Sequence, residues 1–145
     1  MTIFLGADHD GWALKEQLKT ALQSQGHKVS DQGNLIHEAS DDYPDFAKKV
    51  AIMMKKNPTS VGILICDSGQ GMMMAANRFK HLRAAFGYSS EAIVGARQDE
   101  DANVLCLVAK ELNLKKAQSL IDTFLDTPFS KLARHKRRIQ KLKKL

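Results

Sequence analysis

Val61 to Ile65 reads VGILI, a short and mostly β-branched apolar run, which suits a strand covered on both faces of a sheet. A polar corner follows, Cys66-Asp67-Ser68-Gly69-Gln70-Gly71, and the apolar residues from Met72 onward read as the first turns of a helix. Gly69 and Gly71 bracket Gln70, so the backbone there can bend tightly and approach a ligand closely. Strand, glycine corner and helix start together make an anion site. The first N–H groups of a helix have no partner within it, and the helix dipole adds about half a positive charge. Cys66 stands at the strand's carboxyl end beside those donors. Two readings of it stand: a buried thiol that only packs, or a thiol whose pKa its neighbours lower, so that the thiolate serves as nucleophile or base. Cys106, inside another apolar run, reads as core.

Strand and helix signals alternate along the rest of the chain. Thr2 to Leu5 is an apolar opening strand that runs into the polar corner Gly6-Ala7-Asp8-His9-Asp10-Gly11. Trp12, Leu14, Leu18, Ala21 and Leu22 then recur at helical spacing, and Gly26 is a natural stop. His27 to Ser30 is a short strand. The loop through Ser40-Asp41-Asp42-Tyr43-Pro44 carries helix-start signals ahead of Phe46, Ala47, Val50, Ala51 and Met54, and Asn57-Pro58 closes that helix. Arg83 to Gly87 reads as a fourth strand, Ser89-Ser90-Glu91 as the start of a helix through Ala96, Gln98 to Asp101 as a loop, and Asn103 to Ala109 as a fifth strand. Leu114, Ala117, Leu120, Ile121, Phe124 and Leu125 give the next helix one apolar stripe, which Pro128 ends. This rhythm predicts an α/β fold, a single Rossmann-like domain with a five-stranded parallel sheet and helices on both faces. In such sheets ligands bind outside the carboxyl ends of the strands, and that rule gathers Asp8-His9, Cys66 to Gly71 and Asp99-Glu100 at one end.

Composition excludes several classes. A chain of 145 residues with 43% hydrophobic and 26% charged residues has the proportions of one soluble globular domain. No apolar run approaches the roughly 20 residues of a membrane helix, and no leader pattern opens the chain, so a cytoplasmic protein with reduced cysteines is expected. The formal charge of +6 is concentrated at the end: eight of the 22 basic residues, and none of the 16 acidic ones, follow Thr127. The basic segment, residues 127–145, reads as a C-terminal helix with one apolar and one charged side, which needs a partner surface.

Other residues carry weaker signals. The corner CDSGQG lacks the third glycine of a dinucleotide loop and the lysine of a phosphate-binding P-loop, so alone it fits a plain turn as well as a site. Ser68 offers a hydroxyl. His9 after Asp8 fits a capping pair or a substrate contact. Arg134, His135 and Arg138 fall on one helical face, which suits either phosphate binding or a solvated basic surface.

Taken together, G-A-D-H-D-G, D-Y-P, I-C-D-S-G-Q-G-M with A-A-N, A-N-V-L and A-R-H-x-x-R stand in an order that resembles the ribose-5-phosphate isomerase B family, which includes the galactose-6-phosphate isomerase subunits. The resemblance covers nearly the whole chain. It implies an aldose–ketose isomerase that needs no metal or cofactor. The position matching Cys66 is the base that moves a proton between carbons 1 and 2 through an enediolate. The loop Asp67 to Gly71, with Ser68, Gly69 and Gln70, stabilises the oxyanion, and Asp8 and Tyr43 join the substrate contacts. Positions matching His9, Lys110, Arg134 and Arg138 hold the phosphate, partly across a dimer interface. A dimer or tetramer is therefore expected, of one chain or with a related subunit, and the basic helix gains its partner.

The chain departs from the family pattern at four positions. The histidine that protonates the sugar ring oxygen falls at Asp99, the asparagine after it at Glu100, the glycine after the cysteine at Asp67, and a phosphate-binding arginine at Lys110. An aspartate of ordinary pKa is ionised at neutral pH and is a poor acid. Three readings follow. The first is an isomerase of an open-chain or different sugar phosphate, of the ribose 5-phosphate type or a related pentose, hexose or tetrose phosphate, for which ring opening needs no histidine. The second is a family member of altered activity, such as the minor subunit of a two-chain isomerase. The third is a polyanion-binding module acting through the basic tail, with nucleic acid the least favoured partner.

Overall fold

The computed structural model describes all 145 residues. Its strands are β1 (Thr2–Ala7), β2 (Lys28–Asp31), β3 (Val61–Cys66), β4 (Ala84–Phe86) and β5 (Val104–Val108). Its helices are α1 (Trp12–Ser24), α2 (Tyr43–Lys56), α3 (Gln70–Ala76), α4 (Ser90–Glu100), α5 (Leu114–Asp126) and α6 (Ala133–Leu142). All pairings are parallel, and the five-stranded sheet has the order β2-β1-β3-β5-β4, so β3 lies at its centre. This is the expected α/β architecture.

Side-chain alternation along the central strands sorts the core into two layers. Ile63 and Ile65 point to one face, where Leu14, Leu18 and Leu22 of α1 pack with Ile93 of α4 and Ala117, Ile121 and Phe124 of α5. Leu64 and Cys66 point to the other, against Phe46, Ala47, Val50 and Met54 of α2 and Met72 and Ala76 of α3. Every residue of β3 is buried, as its composition requires.

Helix starts fall where the capping signals place them. Asp42 precedes α2 with Pro44 in the first turn, and the Ser89 side chain accepts a hydrogen bond from the Ala92 N–H at the start of α4. Three boundaries differ from expectation. The basic helix α6 spans Ala133–Leu142 and not the whole of residues 127–145, because Pro128 and the segment after it leave α5 before the chain turns helical again. Helix α3 begins at Gln70 rather than Met72, because Gly69 turns the chain at φ +73 and the next residue is already helical. The polar run Gln98 to Glu100 is the last turn of α4 and not a loop, and Asp101 ends the helix in a left-handed conformation at φ 49. Polar residues fit an exposed helical turn as well as a loop. This one is tied down by Arg97, whose Nε donates to the Thr127 carbonyl at 3.1 Å.

Candidate active site

The carboxyl ends of β1 and β3 and the start of α2 enclose a cavity of about 270 Å³, lined by Asp8, His9, Asp10, Asp41, Tyr43, Cys66, Asp67, Ser68 and Gly71. Cys66 is 4% exposed, and its Sγ accepts the Gly69 N–H at 3.2 Å. Gly69 can make this turn because it lacks a side chain: its φ is left-handed, and a Cβ there would meet the Phe86 ring at 2.7 Å. At Gly71 a Cβ would fall 2.8 Å from the Tyr43 ring, so the second loop glycine lets α2 close over the loop.

The expectation of a lowered Cys66 pKa is corrected. Burial pushes the thiol up and the nearby Asp8 carboxylate adds to it, while the N–H groups of Met72, Gly69 and Ser68 pull the other way without winning. The donors are present as expected, but desolvation of the anion is the larger effect. Burial likewise raises Asp8, although its Oδ1 accepts the Gly11 N–H at 3.0 Å and that bond works in the opposite direction. Two buried acids therefore face one small cavity, and both hold their protons more tightly than in water.

His9 is held by a residue that the sequence reading placed only in a helix-start signal. Asp41 Oδ1 lies 2.6 Å from His9 Nδ1 and accepts the His9 backbone N–H at 3.1 Å, and Asn34 donates its side-chain amide to Asp41 Oδ2. The bond to Asp41 raises the His9 pKa against the effect of burial. Burial also disfavours the Asp41 carboxylate's charge, but the bonds from His9 and Asn34 outweigh it and hold its pKa low. The fully buried Lys15 anchors this loop from α1, its ammonium 2.6 Å from Asp31 and 2.9 Å from the Asn34 carbonyl. The Asp41–His9 contact spans 32 residues, and no local pattern signals it.

Asp8, His9 and Asp10 bring ligand-type atoms within 4.8 Å of one another. Asp8 caps the Gly11 N–H, His9 Nδ1 is bound to Asp41, and His9 Nε2 lies 3.4 Å from Asp10. The cluster is a hydrogen-bonded network rather than an open set of ligands.

The remaining candidates lie outside this cavity. Gln70 is exposed on the first turn of α3. Lys110 pairs with Asp67 at 3.1 Å, so two of the family departures face each other and cancel in charge. Asp99 and Glu100 do not join Cys66 within the chain, which corrects the expected convergence. Helix α4 runs back along the sheet, so its last turn ends beside the amino ends of β4 and β5, where Arg83 Nε donates to the Glu100 carbonyl at 3.0 Å. Asp99 belongs to a second cluster. Its Oδ1 is 3.5 Å from Nδ1 of the buried His135, which lies 2.7 Å from Ser130 Oγ and whose Nε2 accepts from Arg134 Nε at 3.0 Å. Arg138 follows on α6, and both arginines are exposed. A larger cavity of about 680 Å³ at the amino ends, lined by residues such as Arg83, Glu100 and Leu142, contains no thiol and no imidazole.

The class of protein that carries this doubly covered parallel sheet, with a thiol beneath a glycine loop at its carboxyl edge, follows from comparison with known proteins. The family model described as Ribose/Galactose Isomerase matches residues 3–142. Ribose-5-phosphate isomerase B of Mycolicibacterium paratuberculosis is 36% identical over 139 residues, covering 96% of this chain and 87% of that protein. Probable ribose-5-phosphate isomerase B of Mycoplasma genitalium is 41% identical over 141 residues, covering 97% and 92%. Among solved structures, a ribose 5-phosphate isomerase of Thermotoga maritima superposes with a TM-score of 0.94 at 40% identity, covering 99% of this chain and 98% of that one. Ribose-5-phosphate isomerase B of Mycoplasma genitalium with bound ribulose-5-phosphate gives 0.92 at 40% identity, covering 99% and 94%. The chain belongs to the ribose/galactose isomerase family of sugar-phosphate isomerases.

Proposed function

We propose that the chain interconverts an aldose phosphate and its ketose, with ribose 5-phosphate and ribulose 5-phosphate as the first pair to test. The observation that carries this reading is the Cys66 sulfur at the cavity, 3.2 Å from the Gly69 N–H at the start of a helix. As thiolate, Cys66 takes the proton from carbon 2 of the open-chain aldose, and the electron pair moves onto the carbonyl oxygen at carbon 1. The enediolate oxygen is then stabilised by the loop N–H groups, whose dipoles are fixed before the reaction begins. The hydroxyl proton on the carbon 2 oxygen moves to the carbon 1 oxygen, the carbon 2 carbonyl forms as the double bond takes the proton back from Cys66 at carbon 1, and the ketose and the thiolate result. Ser68 lines the same cavity and offers a hydroxyl for the substrate oxygens. Asp8 and Tyr43 border the sugar, and Asp67 reaches it with its charge already balanced by Lys110.

His9 supplies a cation for the phosphate from within the cavity. Arg134 and Arg138 lie on α6, whose His135 contacts Asp99 of α4, and we assign them to the site of a second copy, which makes the dimer a catalytic requirement. The raised thiol pKa is compatible with the mechanism, since a minor thiolate fraction can turn over and its share grows with pH.

The substitution at Asp99 favours a second reading. Without a ring-opening histidine, the chain acts on open-chain sugars or serves as the altered partner of a two-chain enzyme. A panel of four- to six-carbon aldose and ketose phosphates, followed by exchange of the carbon 1 proton with solvent, separates the readings. Exchange that starts from ribose 5-phosphate, which closes a furanose ring, supports the first, exchange only with substrates that cannot close a ring supports the second, and none with any of them contradicts both.

A further inference from the structure

We propose that Asp41 is a positioning residue, which anchors His9 through ring and backbone and presents the Nε2 edge of an imidazolium to the phosphate of the substrate. The inference rests on the phosphate role given to His9 above. Its geometry is specific. One carboxylate oxygen of Asp41 takes both the Nδ1 position, at 2.6 Å, and the main-chain N–H, at 3.1 Å, of the same histidine. The second oxygen is bound by the Asn34 amide, so the carboxylate cannot swing away. The Asp41 side chain is 7% exposed while that of His9 is 29% exposed, so the buried partner fixes the accessible one.

With Nδ1 committed to Asp41, only Nε2 is left to meet a ligand, and it lies 3.4 Å from the half-exposed Asp10. A doubly charged phosphate can displace so loose a contact. The groups facing His9 are Asp8 and Asp10 from the turn after β1, Asp41 and Tyr43 from the segment entering α2, and Cys66 and Asp67 from the end of β3. Asp41, Asp10 and Asp8 each favour a charged ring, and Asp41 does so most because it is bonded to it. A neutral imidazole in this pocket could present Nε2 only as an acceptor when Nδ1 carries the proton, and an acceptor repels phosphate.

The test uses the full chain. The His9 ring resonances are followed by NMR from pH 5 to 9, with and without inorganic phosphate, and KM for ribose 5-phosphate is measured over the same range. Wild-type His9 is expected to titrate above the ordinary value of about 6.5. Asp41→Asn is expected to lower that midpoint and to raise KM about fivefold to tenfold at pH 8, with kcat nearly unchanged, because a charged hydrogen bond to phosphate becomes a neutral one. At lower pH, as the ring gains its proton in both proteins, the two KM values should draw together, and Asp41→Glu should recover part of the loss. Titration of wild-type His9 at or below 6.5 overturns the proposal whether or not any variant folds. A wild-type KM for Asp41→Asn at pH 8, together with a raised KM for His9→Gln, overturns the proposal alone and leaves the phosphate role of His9 intact. An unchanged KM for His9→Gln overturns both.

Discussion

Cys66 has three backbone N–H groups near its sulfur and still holds its proton more tightly than a free thiol, because almost no water reaches it and a carboxylate stands close by. That balance has consequences that can be measured. A base must be ionised to act, so kcat/KM is expected to climb with pH into the alkaline range rather than level off at neutrality. The rate of Cys66 alkylation by iodoacetamide should climb with it. Asp8→Asn keeps the cap on Gly11 but removes the negative charge. It is expected to shift the alkylation midpoint toward lower pH, and an unmoved midpoint would contradict the contribution assigned to Asp8. His9 is the converse case: its raised pKa keeps it charged up to pH values where a free imidazole is neutral, and that positive charge is lost as pH rises through the shifted value. Asp99→His is expected to increase turnover of furanose phosphates if slow ring opening limits the reaction. A folded variant with no gain would point to another substrate.

The β3–loop–α3 unit sets the sulfur in place, and its glycines are the most exacting positions in it. Gly69→Ala forces a side chain into a left-handed conformation and against Phe86, at a cost of about 1–2 kcal/mol for the backbone alone. Activity should fall further than stability, since the Gly69 N–H that points at Sγ moves with the turn. Thermal unfolding and kcat measured on one preparation check this. Most of the unit was legible in the sequence. VGILI suits a doubly covered strand, and the corner after it fits a turn or a site. The amphipathic periods of α1, α2 and α5 likewise placed each helix, because burial of one face leaves a repeat in the residue order. What local order does not encode is contact between distant turns, so Asp41 was read as part of a helix start although it holds His9. Topology misled in one respect as well. Asp99 and Glu100 precede a strand, and the polar run they stand in resembled a carboxyl-end loop. A crossover helix returns to the amino side before the next strand begins, and α4 carries both residues there with it.

Across the whole molecule, two chemical clusters stand at different places. One has the thiol, the glycine loop and His9; the other has Asp99, His135, Arg134 and Arg138. If a second copy joins them, variants damaged in different clusters should repair each other. Cys66→Ala and the double variant Arg134→Ala/Arg138→Ala are each expected to be nearly inactive. Unfolded and refolded together in equal amounts, they should recover about one quarter of wild-type activity, because half of randomly paired dimers are hybrids and each hybrid has one intact site. No recovery from a mixture shown to contain hybrids would place the arginines outside the partner's site. The same assembly accounts for the basic tail: removal of the residues after Thr127 should weaken dimerisation and phosphate affinity together. A deletion that spared both while abolishing a salt-dependent affinity for nucleic acid would instead favour the polyanion reading.

The thiolate base is tested most directly by incubating wild type and Cys66→Ala with ribulose 5-phosphate in deuterium oxide and following loss of the carbon 1 proton by NMR. Wild type is expected to exchange it stereospecifically, and the folded alanine variant to do so about 10²- to 10⁴-fold more slowly, the range that a positioned base contributes. Equal exchange rates in the two proteins would contradict the account.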